Sequence, residues 1–164
     1  MGLWALLPWC AVLAVLLTPN TDLKRLALAV AVTTAVAAPL AHTFSYLPES
    51  LEAIELLLLV GLLLGLAKVT QRFLAVGPER LLANGWLLAV SLTSLRSSLD
   101  LIAALKVGLV SAAGFYLFTH ALQALYLRVD QARVAPALQG IPMLLICAAM
   151  MGLALFGLAS FGVL

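Results

Sequence analysis

The chain has 164 residues, 65% of them apolar and only 10% charged, with a net charge of +2 and a mean hydropathy of +1.17. A soluble domain carries about 25% charged residues, so a fold of this size cannot hide so much apolar surface from water, and lipid is the expected solvent. The two cysteines, Cys10 and Cys147, lie far apart in apolar runs, which excludes a disulfide framework, a CxxC pair and zinc-ligand spacing. There is also no HExxH, Walker or GxGxxG motif, and no basic patch interleaved with aromatics to meet nucleic acid.

The first segment is residues 3–17 (LWALLPWCAVLAVLL), 15 residues interrupted by Pro8. At 1.5 Å per residue it reaches roughly 22 Å, short of the ~30 Å hydrocarbon core. It lacks a positive n-region, and Pro8 and Trp9 break the core of a signal peptide, so it reads as a retained membrane segment. Thr18-Pro19-Asn20-Thr21-Asp22 predicts a turn and a helix start, with Thr21 or Asp22 as cap and Lys24 and Arg25 behind it.

The second segment, residues 26–47, is long enough to span. Its centre is small and β-branched (AVAVTTAVAA). Such a face lets helices approach closely, and Thr33 and Thr34 can bond their own backbone or a neighbour. Pro39 predicts a kink. His42, near the segment's end, reads as an interfacial or packing residue, with a ligand role as the alternative. An acidic loop follows, Pro48-Glu49-Ser50-Leu51-Glu52.

The third segment, residues 53–67, continues as an amphipathic turn through Lys68, Gln71 and Arg72. Glu55 sits one turn inside its start, where negative charge favours a helix N-terminus. Val76-Gly77-Pro78-Glu79-Arg80 is the strongest loop signal, and the boundary between two halves is placed there, residues 1–76 and 81–164 of a single membrane domain.

The fourth segment, residues 81–95 (LLANGWLLAVSLTSL), is again 15 residues, read as one short run before a polar break at residues 96–100. The fifth, residues 101–127, spans with room for tilt. Lys106 can snorkel from it to the surface. His120 lies deeper: an intramembrane ionisable residue is a functional candidate, here a proton relay, against the plainer reading of a histidine bonded between helices. Arg128, Asp130 and Arg133 close the segment. The sixth, residues 137–164, has no charge. Its Met143, Met150, Met151, Gly140, Gly152 and Gly157 read as a packing helix, with Cys147 a small apolar filler.

The expected fold is therefore all-α and polytopic, with six transmembrane segments as two inverted three-helix repeats. Two short or broken segments at matching places in two halves point to a midplane site. Lys24, Arg25, Lys68, Arg72, Arg80, Arg128 and Arg133 fall on one side, and only Arg96 and Lys106 on the other. The positive-inside rule places the larger group in the cytoplasm and both termini outside.

On particular residues the chain resembles the Rnf/Nqr integral membrane subunits, most closely the RnfA type. The resemblance covers about residues 22–164. It is carried by Thr33-Thr34, by Pro48-x-x-Leu51-Glu52, by Ala113-Gly114-Phe115, by Val134-x-Pro136-x-x-x-Gly140 and by the ending MLLICAAMMGLALFG. It implies a bacterial inner-membrane subunit of an ion-translocating electron transport complex, itself non-catalytic. It also implies RnfE-like and RnfD-like partner subunits. Broken first and fourth segments then meet at the midplane, where cysteines of the family hold a [2Fe–2S] cluster shared with a partner.

This chain departs from that pattern at the ligands. Ser91-Leu92-Thr93-Ser94 stands where the family has Thr-Thr-Asn-Cys, and Thr18-Pro19 where it has Cys-Pro. Cys10 lies about four residues too far upstream, counting from the paired threonines, unless the alignment slips. Hydroxyls are poor replacements for thiolates on iron. The expectation is a scaffold without its own cluster ligands, hence no catalytic, cofactor-binding or metal residue in this chain. Two other readings stay open: a small inverted-repeat transporter or channel, and an assembly subunit with no transport role.

Overall fold

The computed structural model describes residues 6–17, 23–46, 52–96, 100–131 and 141–160. Of these, 96% are helical and none is in a strand. The helices are α1 (Leu7–Leu17), α2 (Leu23–Thr43, extended by a 3-10 turn Phe44–Tyr46), α3 (Glu52–Leu74), α4 (Pro78–Ala83), α5 (Gly85–Arg96), α6 (Leu101–Gln131) and α7 (Ile141–Ser160). The turn expected at residues 18–22, the acidic loop up to Leu51, Ser97 and Ser98, and the Val134–Pro136–Gly140 motif lie outside the described residues.

Three stretches are long and apolar enough to cross a membrane: Leu23–Tyr46, Ile54–Leu74 and Leu101–Val129. This is the part of the expected architecture that the described helices carry, and it makes the chain a membrane protein. α1 has 11 residues, and α4 and α5 have 6 and 12. The apolar stretch Ile141–Ala154 of α7 is also shorter than a span.

α2 is the axis. In its most apolar window 61% of residues are buried, against 33% in α6 and 22% in α3. The cause is side-chain size. Ala27, Ala29, Ala31, Ala37, Ala38 and Ala41 are all buried, and a helix of small residues lets neighbours approach on several sides. α6 packs most extensively on it, then α5 and α3.

α6 approaches α2 closely at Gly108. A Cβ there would lie 2.8 Å from Ala38 Cβ and 3.2 Å from the Ala35 carbonyl oxygen. That carbonyl would ordinarily accept from residue 39, and Pro39 has no N–H to give. α2 nevertheless runs through Pro39 to Thr43, with the glycine of α6 filling the space beside the released carbonyl.

Two expectations about breaks change. Pro8 does not interrupt the first segment; it is the second residue of α1, where its missing N–H costs nothing. The fourth segment, read as one short run, is two helices parted at Asn84. The loop signal at residues 76–80 also shortens. Ala75, at φ 54°, ends α3 in a left-handed cap with its N–H on the Gln71 carbonyl at 3.0 Å, and Pro78 already starts α4.

α1 lies mainly on α6 and α7, whereas α4 and α5 lie on α2, and α4 also on α3. Cys10, Val12, Val30, Trp86, Phe115 and Cys147 share one core, and Ala37, Ala41, Leu59, Leu63 and Leu87 form a second.

Candidate functional site

The break at Asn84 organises the polar groups inside the bundle. Asn84 leaves the helix at φ −83°, ψ 99°, with its N–H on the Leu81 carbonyl at 3.3 Å. Its Oδ1 accepts the Trp86 N–H at 3.2 Å. This is Asx-turn chemistry: the side chain replaces a backbone acceptor, and Gly85 follows without steric cost. The cap fixes which end of the amide is oxygen. Nδ2 is therefore the outward donor, and it has no hydrogen-bond partner among the described residues although Asn84 is 1% exposed.

Trp86, wholly buried, sets the depth of the break. Its Nε1 donates to the Ser111 carbonyl at 3.3 Å, and its ring stacks on Phe115 at 6.0 Å. Both partners lie well inside the Leu101–Val129 stretch of α6. The N-terminus of α5, with its partial positive charge, therefore starts inside the bundle rather than at its surface.

From there α5 carries a row of hydroxyls, each bonded to a backbone carbonyl. Ser91 donates to Leu87 at 2.8 Å, Thr93 to Ala89 at 2.8 Å, and Ser94 across to Ala38 of α2 at 2.7 Å. These are the positions where cluster ligands would be looked for. Their protons go to carbonyl oxygens, and oxygen is the wrong donor for iron–sulfur chemistry.

His42 closes the row. Its Nδ1 lies 3.3 Å from the Ser94 carbonyl. A carbonyl only accepts, so Nδ1 is the donor in this contact and Nε2 is the ring nitrogen left over. Nε2 has no partner among the described residues, and His42 is 2% exposed with its ring edge-on to Tyr46 at 5.6 Å. His42 is thus a buried residue of the α2–α5 seam rather than an interfacial one.

The other candidates are held more simply. Thr33 and Thr34 donate to Ala29 and Val30 at 2.6 Å, and Thr33 meets Thr70 of α3 at 3.0 Å. His120 is half-buried, with Nδ1 on its own helix at Tyr116 O, 3.0 Å, and its ring against Tyr116 at 4.3 Å. No contact between His120 and a second helix is among these bonds. Thr119 beside it is buried with Oγ1 unpartnered among the described residues. Glu55 is half-buried and Lys106 exposed. Cys10 and Cys147 are free and buried in the apolar core. Among the described residues no three His, Cys, Asp or Glu side chains gather as a metal site. One thiol near the N-terminus and hydroxyls committed to backbone do not fit a cluster ligated by this chain alone.

Sequence reasoning passed over Asn84, although an Asn-Gly step inside an apolar run is a turn signal. The unpartnered Nε2 of His42 had no signal in the sequence, because it depends on where α5 ends relative to α2. No protein-family model, curated protein or solved structure matches the chain.

Proposed function

We propose that the chain is a membrane subunit of an Rnf-type ion-translocating electron transport complex. It scaffolds or lines the electron or cation route and is not itself catalytic. The observation that carries this reading is the order of segments: a long helix in each half, α2 and α6, paired at the centre, with the short first and broken fourth segments exchanged between the halves. Inverted three-helix repeats would produce that exchange, and of the residues resembling RnfA-type subunits Thr33-Thr34 fall on α2 and Ala113-Gly114-Phe115 on α6. The proposed setting is a bacterial inner membrane, both termini outside, with RnfE-like and RnfD-like partners. Any [2Fe–2S] cluster at the midplane would take its thiolates mainly from the partner, and this chain's residues would supply packing around it.

The test is a mild-detergent pull-down of the tagged chain from its native membrane, with partners identified by mass spectrometry and iron counted per complex. Co-purifying flavin-bearing and iron–sulfur subunits support the proposal. A cluster that disappears in Cys10→Ala would overturn the view that this chain has lost its ligands. Recovery of the chain alone and iron-free would overturn the electron-transport reading.

One observation favours a second reading, a small inverted-repeat transporter or channel. The Asn84 break presents a half-helix N-terminus and an unpartnered amide inside the bundle, which is how such proteins meet a solute directly. Solute-dependent protection of the iron-free chain against unfolding, lost in Asn84→Ala, would move that reading to the front.

A further inference from the structure

α3 carries cations within its own apolar stretch: Lys68 and Arg72 both fall inside Ile54–Leu74. Glu55 and Lys68 bracket residues 56–67, 12 apolar or glycine positions, or about 18 Å against a ~30 Å core. The Thr33–Thr70 contact at 3.0 Å fixes the level. Thr70 stands between Lys68 and Arg72, so that turn is level with Thr33, eight residues further along α2 than Arg25 and hence about 12 Å deeper than the basic start of α2. The backbone agrees. α3 stops at Leu74, and Ala75–Gly77 is irregular chain, followed by exposed Glu79 and Arg80. Irregular backbone and charge do not face hydrocarbon. The end of α3 and the start of α4 therefore need a polar neighbour.

Lys68, Val69, Gln71 and Arg72 line a concavity of about 550 Å³ there. Lys68 and Arg72 are one helical turn apart, both exposed, and neither has an ion pair among the described residues. Gln71 adds an amide between them. On the same turn Val69 is 54% and Phe73 82% exposed. Two cations and an amide suit a phosphate, and bulky apolar neighbours suit acyl chains, a combination that a free anion does not need.

We infer that Lys68 and Arg72 hold the headgroup phosphate of an anionic phospholipid, drawn below its ordinary level where the bilayer thins beside α3 and α4. Lys and Arg side chains grouped near a membrane surface attract such headgroups. The inference does not rest on the electron-transport proposal.

The experiment is native mass spectrometry of the full chain, released from nanodiscs of equal phosphatidylglycerol and phosphatidylcholine. The parent should retain phosphatidylglycerol in preference. Lys68→Gln and Arg72→Gln should each weaken retention roughly 5-fold, and together roughly 30-fold, while a Lys68→Arg, Arg72→Lys pair keeps it. Millimolar inorganic phosphate should not displace the lipid. Equal retention of both lipids by the parent overturns the inference, and needs no variant to fold. Displacement by inorganic phosphate, or a double Gln variant that binds like the parent, overturns it equally.

Discussion

α2 and α3 are both long and apolar enough to span, yet one is the axis of the bundle and the other its outer wall. Their most apolar windows are 61% and 22% buried. Hydropathy does not separate them; side-chain volume does. α2 presents alanines and threonines, over which neighbouring backbones close. α3 presents Leu56, Leu57, Leu58, Val60 and Leu64, all exposed. In lipid, burying a leucine gains little over leaving it among acyl chains, so helices meet where packing is tight.

Glycines give the sharpest way to break this comparison. Gly108→Ala drives a Cβ into Ala38 and the Ala35 carbonyl, and overpacking of this kind costs about 1–3 kcal/mol. The expected result is a lower unfolding midpoint in detergent. Gly61→Ala and Gly65→Ala on α3 meet nothing within 4 Å, so each should stabilise by about 0.8 kcal/mol through helix propensity alone. Equal shifts for the two kinds of substitution would mean that α6 does not close on α2 at Gly108.

Smaller effects refine the picture. Ala75→Gly relieves a positive φ and should raise the same midpoint, by up to about 1 kcal/mol, without altering α3. Ser94→Ala removes the bond to Ala38 that ties α5 to α2, and should cost about 0.6 kcal/mol in a membrane setting. Leu57→Ala, at a position 73% exposed on α3, should move the midpoint by less than about 0.5 kcal/mol in either direction. A large loss there would place a protein partner, not lipid, against that face.

Much of the local structure was legible. The runs of apolar residues mark the helices, whereas Gly77-Pro78, which reads as loop, is where α4 starts. The first segment was misjudged because Pro8 was weighed as a breaker, when its place in the first turn makes it a starter. The fourth segment is broken, as its expected class of short or broken segment allows, but the place of the break is hidden because Asn84-Gly85 sits in apolar surroundings. A single side chain capping a single N–H was enough to divide it. The candidate site was less legible, since the polarity of Ser91 and Ser94 says nothing about which carbonyls receive their protons.

Composition by itself determined that the chain is helical and belongs in lipid, because backbone groups away from water must be satisfied within a helix or a closed barrel, and the apolar runs are of helix length. Only the tertiary structure decided which helix stands at the centre, that α1 packs on α6 and α7 while α5 packs on α2, and which polar atoms are left without partners among the described residues. Those outcomes depend on how closely two backbones approach at places such as Gly108 and Ala38, a property of pairs of helices that no single run of residues contains.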